Sequence, residues 1–175
     1  ATLKVVGAFQ GLSRERSNAR KFPSIDPLIS WSKYKSFIPE ERTRTGHALL
    51  HKSFDVAQMM KVIGEEGTAL GDFIDYLKGE FFDFAYVQQN AFDAVDEASL
   101  MDRQNHAFDL IHQILMSNLS FESKEMARYF FQQLGQLFKT WNAAPWQSDD
   151  FVSLERDIRD LLKKHTAPAQ ESADA

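Results

Sequence analysis

The sequence contains no cysteine, which excludes disulfide frameworks, thiolate metal sites and cysteine nucleophiles from its 175 residues. Glycine and proline are sparse, with eight and five residues, which excludes collagen-like and linker-like chains. No apolar run approaches the roughly 18 residues that a membrane-spanning helix needs. These absences leave an ordinary globular chain of one domain, or of one domain and part of another.

The motifs of several catalytic folds are also missing. The sequence has no GxxxxGK[ST] loop to hold phosphates, no GxSxG turn and no GxGxxG fingerprint. His47 and His51 lie four residues apart on one predicted helix, but no third metal ligand accompanies them. We therefore predict no metal site and no catalytic residue, and we expect no catalysis by this chain alone.

What the sequence does contain is apolar bulk and an uneven charge. Hydrophobic residues make up 43%, and phenylalanine alone contributes 15 residues, which is ample for a core. Residues 1–44 carry nine Lys or Arg against four Asp or Glu, a net charge of +5, whereas the remainder carries −10. A basic segment before an acidic body indicates that the two parts face different partners. Because the chain begins with Ala1 and leads directly into an apolar run, we expect it to be a piece of a longer polypeptide.

The first part of the chain predicts little regular structure. Residues 2–9 are apolar and β-branched enough for a short strand, and 12–21 predict a short exposed helix capped by Ser13. Pro23 and Pro27 exclude a helix over 22–31, because each proline forces the residue before it toward extended geometry. We expect an ordered loop there.

A helical period begins near residue 40. Apolar residues recur at spacings of three and four, and they predict helices over 45–63, 69–87, 98–118, 122–141 and 148–164. In the first of these, Phe54 and Ile63 are expected to face the core together with Leu50. Residues 166–175 lack apolar anchors and predict a disordered tail. The predicted fold is mainly α, a helical bundle preceded by a short strand and an ordered loop.

Two phenylalanines stand outside the helical pattern. Phe22 lies in the proline-rich loop beside Arg20 and Lys21, and Phe92 follows the amide residues 88–90. An aromatic ring beside amides and cations can stack on a base, a contact worth ~1–3 kcal/mol in single-strand binders. Core packing is nevertheless the commoner role of a phenylalanine, and the residues alone leave both roles open.

Residues 64–72 are rich in glycine and in acidic side chains. Most such segments are solvated turns. Glu65, Glu66 and Asp72 also form an acidic tip that suits contact with a basic partner. The residues alone do not choose between the two interpretations.

Three segments resemble one protein family. LKVVGAFQGLSRERSNARKFPSIDPLISWSKY, at 3–34, looks like the segment that follows the nucleotide-binding core in the catalytic A subunit (alpha chain) of V-type and A-type rotary ATP synthases. VQQNAFDAVD, at 87–96, is similar to the LQQNAF-x-x-VD signature of that family, and MKVIGEEGTAL, at 60–70, resembles its QLVG-x-x-x-L turn. The three matches occur in the family's order.

The resemblance implies the C-terminal part of the catalytic subunit of a rotary ATP synthase or ATPase. It assigns 1–36 to the end of the nucleotide-binding domain and its adenine-side loop, 37–165 to the C-terminal helical bundle and 166–175 to a disordered tail. The phosphate-binding loop, the catalytic glutamate and the magnesium ligand would lie upstream of this chain. The implied adenine-binding residues are Phe22, Phe92, Gln89 and Asn90, and the implied contacts with the central shaft are Glu65, Glu66 and Asp72.

The resemblance also implies cofactors, partners and a location. The cofactors are ATP or ADP with Mg²⁺ in the full-length enzyme, and none is expected to be bound by this chain alone. The partners are B subunits in an alternating ring and the central-shaft and peripheral-stalk subunits, with no nucleic acid and no direct membrane insertion. The location is cytoplasmic, in the peripheral sector of a membrane-bound complex that moves protons or sodium ions.

Other interpretations stay open at this stage. The charge of −10 over 45–175 also fits a stand-alone acidic helical protein-interaction module without catalysis. The QQNAF cluster argues against the noncatalytic B subunit and against F-type subunits, although F-type catalytic subunits share a similar aromatic-Pro-x-x-Asp-Pro loop. The chain departs from the family pattern in a shorter segment between Trp31 and His47, and in lacking Tyr and Cys after Asp96.

Overall fold

Six α-helices dominate the computed structural model, which describes residues 6–166. Two short strands, β1 (Ala8–Phe9) and β2 (Trp31–Ser32), pair antiparallel with Phe9 opposite Trp31. A π-helical turn over Asp83–Val87 directly continues the third helix. The helices are α1 (Arg14–Asn18), α2 (Glu40–Ile63), α3 (Leu70–Phe82), α4 (Met101–Met116), α5 (Lys124–Ala143) and α6 (Asp149–His165).

The mainly α fold and its five long helices are confirmed. Helix α2 begins five residues earlier than predicted, and the predicted helix over 69–87 becomes π-helical at Asp83. Of the predicted strand over 2–9, only Ala8–Phe9 is a strand among the described residues, and residues 1–5 lie outside them. Thr166 pairs with Leu119 through a β-bridge, and residues 167–175 of the predicted tail also lie outside the described part.

Serine side chains begin three of the helices. Ser13 accepts a hydrogen bond from Arg16 N at the start of α1, Ser123 accepts from Met126 N at the start of α5, and Ser148 caps α6. Each hydroxyl satisfies an N–H group that the helix itself leaves without a partner. The predicted cap at Ser13 is confirmed.

The core is built largely from aromatic rings. Helix α3 packs against α2, α4 and α5, and α6 covers α5 from the other side. Phe81 of α3 meets Phe138 of α5 edge to face, with ring centroids 4.9 Å apart. Trp141 stacks on Phe151 of α6 at 4.6 Å. Such pairs add about 0.5–1.5 kcal/mol each beyond burial, so they hold α3, α5 and α6 as one body.

The buried face of α2 is rotated from the predicted one. Phe54 and Ile63 were expected in the core, but their side chains are exposed, and only Leu50 of the three is buried. Ser53 faces α3 instead, at a position where Gly79 of α3 comes too close to leave room for a larger side chain. The residues of α2 that are buried are Gly46, Leu50, Ser53 and Val56.

Two buried cations bind the carbonyl groups at the ends of helices. Lys78 Nζ donates hydrogen bonds of 2.8 Å to the carbonyl oxygens of Leu115 and Ser117 at the end of α4. The Arg103 guanidinium donates to the carbonyl oxygens of Asn142 and Ala144, at 2.6 and 2.9 Å, at the end of α5. Burial lowers the pKa of both groups. Both cations lie where the helix dipole is negative and satisfy terminal carbonyls.

Replacing Gly79 with alanine tests the close contact between α2 and α3. The added Cβ would overlap the Cβ and Oγ of Ser53, so Gly79→Ala should lower the free energy of unfolding by about 1–3 kcal/mol. Gly71→Ala is the matched control, because Gly71 lies in the same helix and nothing lies within 4 Å of its added Cβ. The control should gain up to about 1 kcal/mol from helix propensity. Urea denaturation measures both, and equal effects would contradict the close packing.

Candidate functional site

The loop that carries Phe22 contacts the segment that carries the amide cluster. Gln89 N donates a hydrogen bond of 2.7 Å to the carbonyl oxygen of Phe22. The Phe22 side chain is 52% exposed, and Gln89 is also exposed. The structure therefore brings together two residues that were singled out separately in the sequence and that lie far apart along the chain.

The amide side chains mostly shape their own loop. Gln89 Nε2 donates to the carbonyl oxygens of Asp96 and Glu97, and Asn90 N donates to Asp96 Oδ2 at 2.6 Å. Asn90 Oδ1 accepts from Phe92 N at 3.2 Å. The Phe92 ring is fully exposed and makes no ring contact with Phe22 in the described part of the chain. Both phenylalanine rings are available to a ligand.

A buried carboxylate forms hydrogen bonds to both sides of this contact. Asp83 is 4% exposed, at the first position of the π-helical turn. Its Oδ1 accepts from Arg16 Nη1 at 2.5 Å, and its Oδ2 accepts from Lys21 Nζ at 2.7 Å and from Gln88 Nε2 at 3.0 Å. The sequence pattern did not single out this residue. The available signal was its position inside the apolar run 81–85, where a solvated acid is unusual.

The electrostatics of the cluster hold Lys21 in its charged form. Burial lowers the pKa of Lys21, but the hydrogen bond and the charge of Asp83 outweigh burial, and the net pKa is raised. Arg16 contributes only one of its nitrogens to the pair, because its Nε and Nη2 are buried without a hydrogen-bond partner. The loop is therefore attached to the bundle by desolvated charges, which interact more strongly than charges in water.

A cavity of about 360 Å³ lies beside the contact between the two segments. Its volume falls within the range of small-molecule sites, which is roughly 300–1,000 Å³. Pro23 forms the wall on the loop side, and Gln89 forms part of the opposite wall. Polar residues of α4 and of the segment before it also line the cavity, among them Ser99, Arg103 and Gln104.

The acidic turn between α2 and α3 is fastened to α5. Glu65 Oε1 accepts from Arg128 Nη2 at 2.5 Å, and Lys124 Nζ donates to the carbonyl oxygens of Glu65 and Glu66. Glu66 is exposed, and Asp72 lies half-buried in the first turn of α3. The charge of Glu65 is therefore partly neutralised within the chain, a pairing that the sequence pattern did not indicate.

Residues 6–166 contain neither a cluster of metal ligands nor a helix suited to a bilayer. No three His, Asp or Glu side chains converge there in a way that would hold a metal ion. His47 and His51 lie one turn apart on α2. Among the described helices, none combines the length and the apolarity that crossing a bilayer requires.

Comparison with curated proteins gives close relatives over nearly the whole chain. The V-type ATP synthase alpha chain of Treponema denticola is 51% identical over 174 residues, which are 99% of this chain and 29% of the relative. The alpha chain of Borrelia turicatae is 50% identical over 163 residues, which are 93% of this chain and 28% of the relative. The chain is homologous to the C-terminal part of V-type ATP synthase alpha chains. The sequence resemblance is thereby confirmed.

The chain spans about three tenths of the length of the alpha chains it matches. No protein-family model matches it. A solved structure described as a unique ATP synthase subunit NeqB from Nanoarcheaum equitans aligns with a TM-score of 0.54 at 16% identity. That alignment covers 64% of this chain and 30% of the other, and it supports the fold alone.

Removing the acidic charges of the turn should leave the chain folded. The triple variant Glu65→Gln, Glu66→Gln, Asp72→Asn loses one exposed ion pair and one charge near a helix start, so we expect it to lose less than about 2 kcal/mol. The hydrogen bonds from Lys124 persist, because they go to backbone oxygens. Urea denaturation measures the loss, and unfolding of the variant at room temperature would contradict this view of the turn.

Proposed function

We propose that this chain is the C-terminal part of the catalytic A subunit of a V/A-type rotary ATP synthase or ATPase. The observation that carries the proposal is the identity of about half of all residues with alpha chains over nearly its whole length. The subunit hydrolyses or forms ATP, and this chain supplies the adenine side of the site. The phosphate-binding loop and the magnesium ligand belong to upstream residues, since the chain has no GxxxxGK[ST] motif.

Phe22, Phe92, Gln89 and Asn90 form the adenine side in this proposal. The exposure of both phenylalanine rings supports it, because an exposed ring has a free face that can stack on a base. The hydrogen bond from Gln89 N to Phe22 O supports it further, since it keeps one ring next to the amide segment. The rings would stack on the base, while the 88–90 segment would present polar groups to its edge.

Truncating either ring tests the adenine assignment. In the full-length protein, Phe22→Ala and Phe92→Ala should each weaken ATP and ADP binding about fivefold or more, as expected for the loss of a stacked ring. Isothermal titration calorimetry measures the dissociation constants. Both side chains are exposed, so stability should change little.

The matched control for both variants is Tyr129→Ala. Tyr129 is an exposed aromatic residue on α5, away from the contact between Phe22 and Gln89. Its removal should leave nucleotide affinity unchanged. Unchanged affinity in both phenylalanine variants would refute the adenine assignment, and an equal loss in the control would show that the effect is not local.

The helical bundle couples the nucleotide site to rotation in this proposal. Closure of the site would move the bundle as one body, and the turn that carries Glu65, Glu66 and Asp72 would push the central shaft. The A subunits alternate with B subunits in a ring, in the cytoplasmic peripheral sector of a membrane complex that also contains a peripheral stalk and moves protons or sodium ions. The attachment of the turn to α5 supports this role, because a tip fixed to the bundle can transmit its motion.

Charge removal at the turn tests the contact with the shaft. In the assembled complex, the triple variant of Glu65, Glu66 and Asp72 should reduce ion transport per ATP hydrolysed, while nucleotide affinity stays unchanged. The matched control removes three exposed acids of α6, with Asp149, Asp150 and Asp157 each replaced by Asn. Proton or sodium uptake by reconstituted vesicles gives the measurement. Normal coupling in the first triple variant would remove the support for this contact.

A further inference from the structure

The loop around Phe22 and the segment 88–90 are both bound by one residue. The Asp83 carboxylate accepts hydrogen bonds from Arg16 and Lys21, which lie on the loop side of the site. The same carboxylate accepts a hydrogen bond from Gln88 Nε2. The backbone oxygen of Asp83 accepts another from Gln88 N, at 2.8 Å. The next residue, Gln89, donates to Phe22 O. Asp83 is thus one bond from each of the two segments that meet at the site.

We infer that Asp83 is a positioning residue, which holds the Phe22 loop against the segment 88–90. The carboxylate fixes Lys21, the residue directly before Phe22, at 2.7 Å. Its backbone oxygen closes the last turn of the helix at Gln88, after which the chain becomes extended. One residue thereby sets both where the loop lies and where the helix gives way to the amide segment.

The π-helical turn is part of this arrangement. A π-helix bonds residue i to residue i+5, and such single turns are frequent at functional sites. Here the Asp83 carbonyl bonds Gln88 N, five residues on. Because the backbone and the carboxylate of Asp83 both bind Gln88, the end of the helix and the side chain of Gln88 are fixed together.

Burial makes this pairing specific. Asp83 has 6% of its side chain exposed and Arg16 has 12%, so removing the carboxylate would leave two cations at a desolvated site. Buried pairs of this kind add little net stability, but breaking one is costly, and in some proteins they fix a unique geometry. Glu80 offers the contrast, since it approaches Lys21 only to 3.7 Å and its side chain is 50% exposed. Solvent screens the Glu80 pair, so Asp83 carries the attachment.

The attachment is tested first by hydrogen exchange in the full-length protein. Asp83→Asn keeps the shape of the side chain and removes its charge, so exchange of the Gln89 amide should rise at least about tenfold. Amides within α5 and α6 should keep their protection. Glu80→Gln is the matched control, and it should change exchange at Gln89 by less than about twofold. Unchanged exchange at Gln89 in Asp83→Asn would overturn the inference.

A second variant covers the case in which Asp83→Asn unfolds the bundle. Lys21→Met breaks the attachment from the loop side and leaves the carboxylate paired with Arg16. It should also raise exchange at Gln89 selectively, by a smaller factor. Global loss of protection in Asp83→Asn together with no effect of Lys21→Met would assign Asp83 a role in folding alone, which contradicts positioning.

The consequence for nucleotide binding rests on the proposed function. If Phe22 and the segment 88–90 flank the base, Asp83→Asn should weaken ATP binding about fivefold or more, and Glu80→Gln should not. Equilibrium titration of the full-length protein with ATP measures both. Faster exchange at Gln89 with unchanged ATP affinity would support Asp83 as the positioning residue and contradict the adenine assignment. The two proposals therefore fail separately.

Discussion

A desolvated carboxylate at the end of α3 joins the N-terminal loop to the helical bundle. Asp83 lies between Phe82, which is buried, and Phe84, and its charge is paired with Arg16 of α1 and Lys21 of the following loop. A buried charge has to be paired, so the bundle and the loop constrain one another through this group. The exposed side of the site follows from that constraint, because Gln88 and the residues after it leave the helix directly above the carboxylate.

The bundle provides a rigid support for this junction. Aromatic contacts link α3 to α5 and α5 to α6, while Lys78 and Arg103 satisfy the carbonyls at the ends of α4 and α5. At the opposite end of α3, Lys124 and Arg128 hold the acidic turn. Helix α3 and the π-helical turn thus connect the acidic turn to Asp83. This geometry suits a subunit that converts closure of a nucleotide site into motion of a shaft.

Local pattern accounts for much of the fold, and pairing between distant residues accounts for what the pattern missed. The helices follow from apolar spacing, and the loop that leads from Phe22 to the start of β2 at Trp31 follows from Pro23 and Pro27. The prediction that Phe54 and Ile63 are buried was wrong. The close approach of Gly79 to Ser53 involves two helices, so the pattern of α2 alone does not indicate which of its faces is buried. Asp83 and the Glu65–Arg128 pair were missed because their partners lie far away in the sequence. The residues alone left Phe22 and Phe92 between core and ligand roles. Only the resemblance of the KFPSIDP and QQNAF segments to rotary ATP synthases favoured a shared site.

In the proposed function, Phe22 and the segment 88–92 flank the base of a bound nucleotide. Photolabelling of the full-length protein with 2-azido-ATP, followed by peptide mapping, tests it most directly, because the reactive group sits on the adenine ring. The label should enter the peptides carrying Phe22 and residues 88–92, and excess ATP should prevent the labelling. Label confined to other peptides, with equal protection by ATP, would contradict the claim.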